Sequence, residues 1–174
     1  MLIWQANSEV HKLVETIKIK NHLPRLQEAK VAVCFNDAKA FIGDRFNWGK
    51  VAKFSPMAKI FQPEDRRYDF CVTIASDAWV AVLDEKQREA LLDLHLERCQ
   101  VEYVPVMIEE NGKKIPVKDE WGRIQYTDQI KMDEDGIPKW KIVPLDLNVF
   151  QQNVWRYGCW CYDLADFKTA INKN

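Results

Sequence analysis

The histidines of this sequence have the widest capacity for metal and acid–base chemistry, and they are few and far apart. His11, His22 and His95 include no pair at the i, i+4 spacing that places two imidazoles on one side of a helix. The HExxH arrangement of zinc peptidases requires that spacing. The sequence therefore excludes a zinc peptidase built on that motif.

The cysteines offer a second kind of chemistry. His95 and Cys99 lie one helical turn apart, and Cys159 and Cys161 could add two thiolates. Three cysteines and one histidine would make a closed, structural zinc site, because no coordination position stays open. The simpler interpretation is that these thiols pack as small apolar side chains. A nucleophilic pair of Cys99 and His95 is disfavoured, since a regular helix presents a thiol poorly and no third group orients the imidazole.

No other motif supplies a catalytic group. The glycines are scattered singly, so the chain has no phosphate-binding loop, Gly-x-Gly-x-x-Gly turn or serine elbow. We therefore predict no catalytic residue and no cofactor.

Composition limits the class of protein that holds these residues. The 174 residues favour one domain, residues 1–174, and 25 Lys and Arg against 26 Asp and Glu give a formal net charge of −1. A near-neutral chain has no general electrostatic grip on nucleic acid or anionic lipid. Residues 36–67 are locally basic, with seven Lys and Arg against four Asp and Glu. The candidates there for contacting a nucleic-acid strand are Arg45, Trp48, Lys50 and Lys53, although alternation along a β-strand explains them more simply.

The expected location is the cytoplasm. The first residues lack the basic and apolar segments of a signal peptide, and no apolar run reaches the roughly 18 residues that span a bilayer. Five cysteines without a framework-like spacing favour reduced thiols. We expect no membrane association, and the sequence does not set the oligomeric state.

Hydrophobic periodicity predicts alternating helices and strands before residue 101. The predicted elements are a helix capped by Ser8 and running through Ile17, strands at Lys30–Asn36, Phe46–Lys53 and Tyr68–Ile74, a helical turn from Ser76 through Trp79, and a helix at Glu85–Gln100 capped by Asp84.

From residue 104 to residue 144 the pattern changes to β-hairpins. Turn signals at Asn111-Gly112 and at Asp133–Gly136 each separate two strand-like runs. The second turn is expected to pair Ile124–Met132 with Ile137–Val143.

A last helix is predicted from its N-cap Asp146 through Tyr157, with Gly158 as its C-terminal stop. Together the elements predict an α+β fold with a small mixed sheet flanked by helices. A β-hairpin arm at residues 104–144 is inserted within the same domain.

Several segments, in their order, resemble the phage metallopeptidase family, whose members are zincin-like. They are Trp48–Lys53 (WGKVAK), Tyr68–Trp79 (YDFCVTIASDAW), Glu85–Cys99 (EKQREALLDLHLERC) and Pro144–Trp160 (PLDLNVFQQNVWRYGCW). The similarity runs from residue 23 to residue 161. It implies a zincin-like fold in which a helix bearing an HELCHC motif and a later histidine hold zinc.

The chain departs from that family at the metal-binding positions. Leu94 and Arg98 stand where the resemblance places the two histidines of the helix. His95 stands at the general-base glutamate, and Leu145 at the third histidine. Leucine has no lone pair for a cation, and a guanidinium does not lose its charge to become a ligand. The resemblance therefore implies a degenerate site without zinc, and hence without a Lewis acid or an activated water.

Arg98 at the former metal position is expected to pair with a carboxylate, and its candidates are Asp93, Glu97 and Asp146. Such a fixed positive charge could replace the metal electrostatically.

The function expected from this loss is that of a phage-encoded, catalytically inactive metallopeptidase-like protein that binds another protein. The partner would be a host or phage protein, with a host defence or nucleic-acid-processing factor as the favoured target. The contact candidates are Trp121, Trp140, Trp155 and Trp160. Two alternatives stay open: a divergent hydrolase with a non-standard site, and a nucleic-acid-binding module centred on residues 36–67.

Overall fold

The computed structural model describes residues 1–22, 25, 26, 28–42, 45, 46, 48–63, 67–134, 136–144, 147–160 and 165. Within them, the side chains of residues 41, 42, 45, 46, 82 and 147–151 are not described. The chain divides into two compact units, one made of Met1–Gln100 with Ile142–Asn174 and the other of Val101–Lys141. The second unit overlaps the arm expected at residues 104–144.

The first unit contains most of the regular elements. Its strands are β1 (Ile3–Gln5), β2 (Val31–Asn36), β3 (Phe41–Ile42), β4 (Arg45–Phe46), β5 (Gly49–Lys53) and β6 (Phe70–Ala75), and β7 (Cys99–Val101) ends at its boundary. Its helices are α1 (Ser8–Asn21), α2 (Pro56–Ile60), α3 (Glu85–Arg98) and α4 (Leu147–Tyr157), with a π-helical turn at Ala78–Val82.

A four-stranded sheet in the order β1-β2-β6-β5 forms the centre of the first unit. Strands β2 and β6 are parallel, and the two outer strands run antiparallel to them. Val33, Val72 and Ile74 are fully buried on one face of the sheet, where β-branched side chains pack well. Helix α1 contacts β2, α3 contacts β5, and α3 also contacts both α1 and α4. The predicted α+β class, with a small mixed sheet flanked by helices, is confirmed.

Capping side chains set where the helices begin. Asp84 accepts the backbone N–H of Gln87 at 2.8 Å, and the Gln87 side chain accepts the N–H of Asp84 at 2.9 Å, so the predicted capping box is present. Helix α1 begins at Ser8, but its N-cap is Asn7, whose side chain accepts the Val10 N–H at 3.1 Å. The prediction of Ser8 as the cap was wrong by one residue, because both residue types favour that position.

Helix α4 ends as predicted. It stops at Tyr157, and Gly158 adopts a positive φ of 71° while its N–H donates to the Val154 carbonyl at 2.7 Å. Its predicted N-cap, Asp146, lies outside the described residues.

The strand expected at Phe46–Lys53 is two strands. Arg45–Phe46 pairs with Phe41–Ile42 as β4 and β3, and β5 begins only at Gly49. The boundary differs because periodicity does not show which partner a short strand takes.

The second unit contains β8 (Tyr103–Pro105), β9 (Met107–Glu110), β10 (Lys113–Pro116), β11 (Tyr126–Ile130) and the start of β12 (Trp140–Ile142). Strands β9 and β10 form the predicted hairpin. At its turn Asn111 and Gly112 have φ values of 54° and 73°, which is why this dipeptide is favoured in a tight hairpin.

The prediction of the second hairpin gave β11 the wrong partner strand. Strand β11 pairs with β8, and between Ile124–Met132 and Ile137–Val143 only the single bridge of Met132 with Pro138 is found among the described residues. The two hydrogen bonds that flank this bridge are formed, from the Lys139 N–H to the Lys131 carbonyl at 2.8 Å and from the Asp133 N–H to the Ile137 carbonyl at 2.9 Å, so Pro138 occupies a position that requires no N–H.

Candidate functional site

Helix α3 carries the positions at which the resemblance expects a metal site. Leu94 and Arg98 are half-buried and His95 is 4% exposed. The Arg98 Nε donates to the Val143 carbonyl at 3.2 Å. Within the described part of the chain Arg98 makes no ion pair with Asp93 or Glu97, so that prediction was wrong for these two carboxylates. The third candidate, Asp146, is not described.

The ring of His95 is buried without hydrogen bonds. Neither its Nδ1 nor its Nε2 has a hydrogen-bond partner among the described residues. Burial, and secondly the charge of Arg98, lower the pKa of His95 to about 4, so the imidazole is neutral near pH 7.

Strand β5 approaches this histidine closely because residue 49 is glycine. A Cβ at Gly49 would lie 2.7 Å from the Thr73 carbonyl oxygen and 3.0 Å from His95 Nε2. Any larger residue would push the strand away from α3. The glycine of the WGKVAK segment is therefore explained by packing between strand and helix.

Zinc does not fit these positions. Leu94 offers no lone pair, Arg98 is a permanent cation, and His95 alone supplies one nitrogen, whereas a catalytic zinc needs three protein ligands. Leu145, the remaining position, lies outside the described residues. No step of metal chemistry is therefore derived for this helix.

The neighbouring turns of α3 hold a different polar cluster. The His22 Nε2 lies 2.9 Å from Asp93 Oδ1, and the His22 Nδ1 lies 3.7 Å from Glu97 Oε1. All three side chains are buried. In the described part of the chain they are the one group of three potential metal ligands whose ligand atoms lie within 4.8 Å of one another.

Two arginines close this cluster. Arg156 donates to Glu97 at 2.6 Å and to Asp93 at 2.9 Å, and Arg25 donates to Glu97 at 3.0 Å. Two carboxylates and two guanidinium groups balance in charge. Burial raises the pKa of Asp93, but the hydrogen bonds from His22 and Asn21 and the charge of Arg156 lower the pKa overall. Asp93 is therefore ionised at neutral pH.

The tautomer of His22 follows from its neighbours. The Arg25 NH2 group lies 2.9 Å from His22 Nδ1, and a guanidinium can only donate. Nδ1 therefore accepts, and Nε2 carries the proton that it donates to Asp93. Both ring nitrogens are used, so no lone pair is left for a metal.

A metal ion does not fit the cluster in this arrangement. It would have to displace Arg25 and Arg156, because their positive charges already neutralise Asp93 and Glu97. Removing charge partners from buried carboxylates is costly. The arginines thus supply the positive charge that a metal ion would supply.

The same cluster connects three helices. Asn21 of α1 donates to Asp93 at 2.8 Å, and Asn153 of α4 donates to Asp93 at 3.0 Å. The Trp160 indole N–H donates to the Asn153 side chain at 2.7 Å. Asp93, Glu97, His22, Arg25, Arg156, Asn21, Asn153 and Trp160 are called the α3 charge network below. Its chemistry is structural: it fixes α1 and α4 against α3.

Among the described residues, His95, Cys99 and Cys159 do not form a group that could hold one metal ion. The Cys99 thiol is buried and donates to the His95 backbone carbonyl at 3.4 Å, not to the imidazole, while Cys159 is exposed. Burial raises the pKa of Cys99 to about 12, so it is a protonated packing residue. Cys161 lies outside the described residues.

The four tryptophan candidates divide into two pairs. Trp140 and Trp160 are each 6% exposed, so neither is available as a protein contact in this structure. Trp121 and Trp155 are 70% and 76% exposed. A partner-binding role is therefore open only to this second pair.

The nucleic-acid candidates do not form one surface. Lys50 and Lys53 are exposed, but they are three residues apart on β5 and so point to opposite faces. Trp48 packs against Ala40, Ala75 and Ala78. The Arg45 side chain is not described.

The α3 charge network was missed by the sequence prediction. Asp93 and Glu97 have i, i+4 spacing in the leucine-rich second half of α3, and this signal could have identified them. Their partners His22, Arg25 and Arg156 are more than 55 positions away, and no local pattern connects them.

These features define a mixed α/β protein in which an arginine-neutralised charge network is built on a central helix. The chain belongs to the putative phage metallopeptidase family, whose family model matches residues 2–172. It is therefore a phage metallopeptidase-like protein. No curated protein and no solved structure matches it. In the described part of the chain, every helix is too short or too polar to cross a membrane.

Proposed function

We propose that this chain is a catalytically inactive, zincin-like member of its family, acting by protein binding in the host cytoplasm. The inactivity is supported by the residues that α3 contains, namely Leu94, Arg98 and a carboxylate pair that arginines neutralise. The target is a host protein, with a defence or nucleic-acid-processing factor favoured because the family is a phage family.

The loss of catalysis follows from the chemistry of zinc peptidases. Their nucleophile is a metal-bound water whose pKa the ion lowers to about 7. Arginine supplies positive charge, but it has no lone pair and no open coordination position for a water. The α3 charge network can therefore hold the helices together without being able to activate water.

Two exposed tryptophans support the binding part of the proposal. Trp121 lies under the Arg123 guanidinium at 4.8 Å, and Arg123 is fixed by an ion pair with Asp119 at 2.9 Å. Trp155 is exposed on α4. Tryptophan and arginine are the residue types enriched among the energetically dominant contacts of protein interfaces.

Restoring the family's ligands tests the inactivity. The variant Leu94→His/His95→Glu/Arg98→His/Leu145→His is compared with the parent chain and with Leu94→His alone. We expect zinc and peptide hydrolysis to be absent from the parent and from the single variant, and zinc uptake to increase only in the fourfold variant. Stoichiometric zinc together with peptide hydrolysis in the parent would contradict the proposal.

Affinity purification from infected host cells tests the binding. The tagged parent is compared with Trp121→Ala, with Trp155→Ala and with the control Val80→Ala, which removes an equally exposed apolar side chain. We expect a host protein to be retained by the parent and the control and lost from one tryptophan variant. Equal retention by all four would refute the role of these tryptophans.

A further inference from the structure

Two cysteines of the central sheet lie in contact. In the parallel pair of β2 and β6, Ala32 is opposite Cys71 and Cys34 is opposite Thr73, so both thiols project from the same face. Their Sγ atoms are 3.7 Å apart, and both side chains are half-buried. This is the face away from His95 and α3, because Gly49 and Val51 occupy the alternate positions of β5.

The surroundings of the pair are small and polar. Cys71 lies opposite Ala52 on β5 and opposite Ala32 on β2, so no large side chain stands beside it in the sheet. The Thr73 hydroxyl is 3.8 Å from the Cys71 sulfur, and Lys50 is opposite Thr73 on β5. The thiols therefore have a hydrogen-bond donor and a positive charge on their own face.

The two sulfurs are not equivalent. The hydrogen bond with the Cys34 thiol lowers the pKa of Cys71 most, burial opposes this, and Thr73 and Lys50 lower the pKa further. The bond to Cys71, burial and repulsion from the Cys71 thiolate raise the pKa of Cys34. The surroundings therefore favour a thiolate on Cys71 beside a protonated Cys34.

We propose that Cys71 and Cys34 form a peroxide-reactive dithiol in which Cys71 is the nucleophile and Cys34 the resolving thiol. The partly exposed position and a second thiol in contact are the features of such sites. This reactivity is independent of the loss of zinc and of protein binding.

The reaction balances with hydrogen peroxide as the oxidant. The Cys71 thiolate attacks one peroxide oxygen, the O–O bond breaks, and a sulfenic acid and hydroxide form. The Cys34 sulfur then attacks the Cys71 sulfur, an S–S bond forms, and the S–O bond breaks with release of water. The two sulfurs together lose two electrons, and the peroxide becomes two molecules of water once the hydroxide takes a proton from solvent. The sulfurs must approach from 3.7 Å to the S–S bond length of about 2.0 Å.

Mass spectrometry of the full chain tests the proposal. The background variant Cys159→Ser/Cys161→Ser removes the exposed Cys159 thiol and the Cys161 thiol two residues later, while Cys99 is retained as a buried internal control. After peroxide treatment we expect a product that has lost two hydrogen atoms and a proteolytic fragment linking Cys34 to Cys71. Adding Cys34→Ser should stop the reaction at a Cys71 sulfenic acid, which dimedone traps. Adding Cys71→Ser should leave Cys34 unmodified.

The pH profile of alkylation gives a second readout that does not depend on the disulfide. The iodoacetamide rate of Cys71 should have its midpoint below the pH of about 8.5 that is typical of an ordinary thiol, because Thr73 and Lys50 lower the pKa of Cys71. Lys50→Met and Thr73→Val should each move the midpoint upward. Circular dichroism of every variant confirms that it is folded.

The outcomes distinguish the roles clearly. A dimedone adduct on Cys34 in place of Cys71, or an alkylation midpoint near that of an ordinary thiol, would overturn the assignment of Cys71 as nucleophile. A Cys71 sulfenic acid that persists in the presence of Cys34 would overturn the resolving role.

Discussion

Two sides of helix α3 differ in how their polar groups are satisfied. On one side Asp93 and Glu97 are held by two arginines, a histidine and two asparagines of the α3 charge network. On the other side His95 is buried and neither ring nitrogen has a hydrogen-bond partner among the described residues. The first side is an electrostatic centre in which each carboxylate has an arginine partner, and the second is a polar residue kept neutral by burial.

This difference separates charge from metal chemistry. The network retains strong, specific interactions between helices, and the positions that the resemblance assigns to zinc retain only packing. The positive charge beside Asp93 and Glu97 therefore comes from arginine side chains. The predictions below break or sharpen this contrast, beginning with the largest expected effect.

Replacing Arg156 on one side of α3 and Arg98 on the other, one at a time, tests the contrast most strongly. Arg156→Met should lower the free energy of unfolding by about 3 kcal/mol, because it leaves the buried Asp93 without an arginine partner and Glu97 with Arg25 alone. Arg98→Met, the same substitution on the other side, should cost less than about 1 kcal/mol, since among the described residues Arg98 donates only to the Val143 carbonyl. Urea unfolding measures both, and equal losses would contradict the assignment of the network to Arg156.

The burial of His95 predicts a pH dependence. Its pKa is about 4 in the folded chain, whereas the unfolded value is 6.5, so between these values the unfolded chain binds a proton that the native chain does not. The free energy of unfolding should have its full value above pH 6.5 and should decrease by up to about 3 kcal/mol as the pH decreases to 4. In His95→Leu this part of the decrease should disappear, while the other histidines contribute equally to both proteins. If the urea midpoint decreased equally in the parent and in His95→Leu between pH 6.5 and pH 4, this would contradict the neutral, buried histidine.

The approach of β5 to α3 predicts a smaller loss. Gly49→Ala should destabilise the chain by about 1–3 kcal/mol, because the new Cβ meets both the Thr73 carbonyl and the His95 ring. Since one of these contacts is a side chain, His95→Ala in the same chain should reduce the cost of the alanine. Thermal unfolding of the double-mutant cycle measures this coupling, and strict additivity would refute the contact.

A partly exposed ion pair between α1 and α3 gives the smallest effect. Lys20 and Glu89 are 3.1 Å apart, with side chains 63% and 29% exposed. Lys20→Ala should cost less than about 1 kcal/mol, and the loss should shrink as salt is added. A loss as large as that of Arg156→Met would show that burial is not what gives the network its strength.

Local chemistry made part of this fold predictable. The capping box of Asp84 and Gln87 and the turn at Asn111-Gly112 depend on residues within three positions of one another, and both were predicted correctly. Strand β6 was found within two residues because its aromatic and β-branched run has no competing interpretation.

Tertiary pairing was not predictable in the same way. The contact of His22 with Asp93 joins residues 71 positions apart, and it depends on how α1 is placed against α3. For the same reason Arg98 was expected to pair with Asp93, Glu97 or Asp146, whereas Arg25 and Arg156 pair with the first two from other segments. The wrong partner of β11 has the same origin, since a turn signal does not show how far a ladder continues.

The metal content of the chain is the most direct test of the central claim that arginine has taken the place of a cation. The full chain is produced in zinc-supplemented medium, purified without chelators and analysed by elemental mass spectrometry together with His22→Ala and His95→Ala. The account predicts no tightly bound zinc in any of the three proteins. Stoichiometric zinc in the parent that is lost in either variant would contradict it.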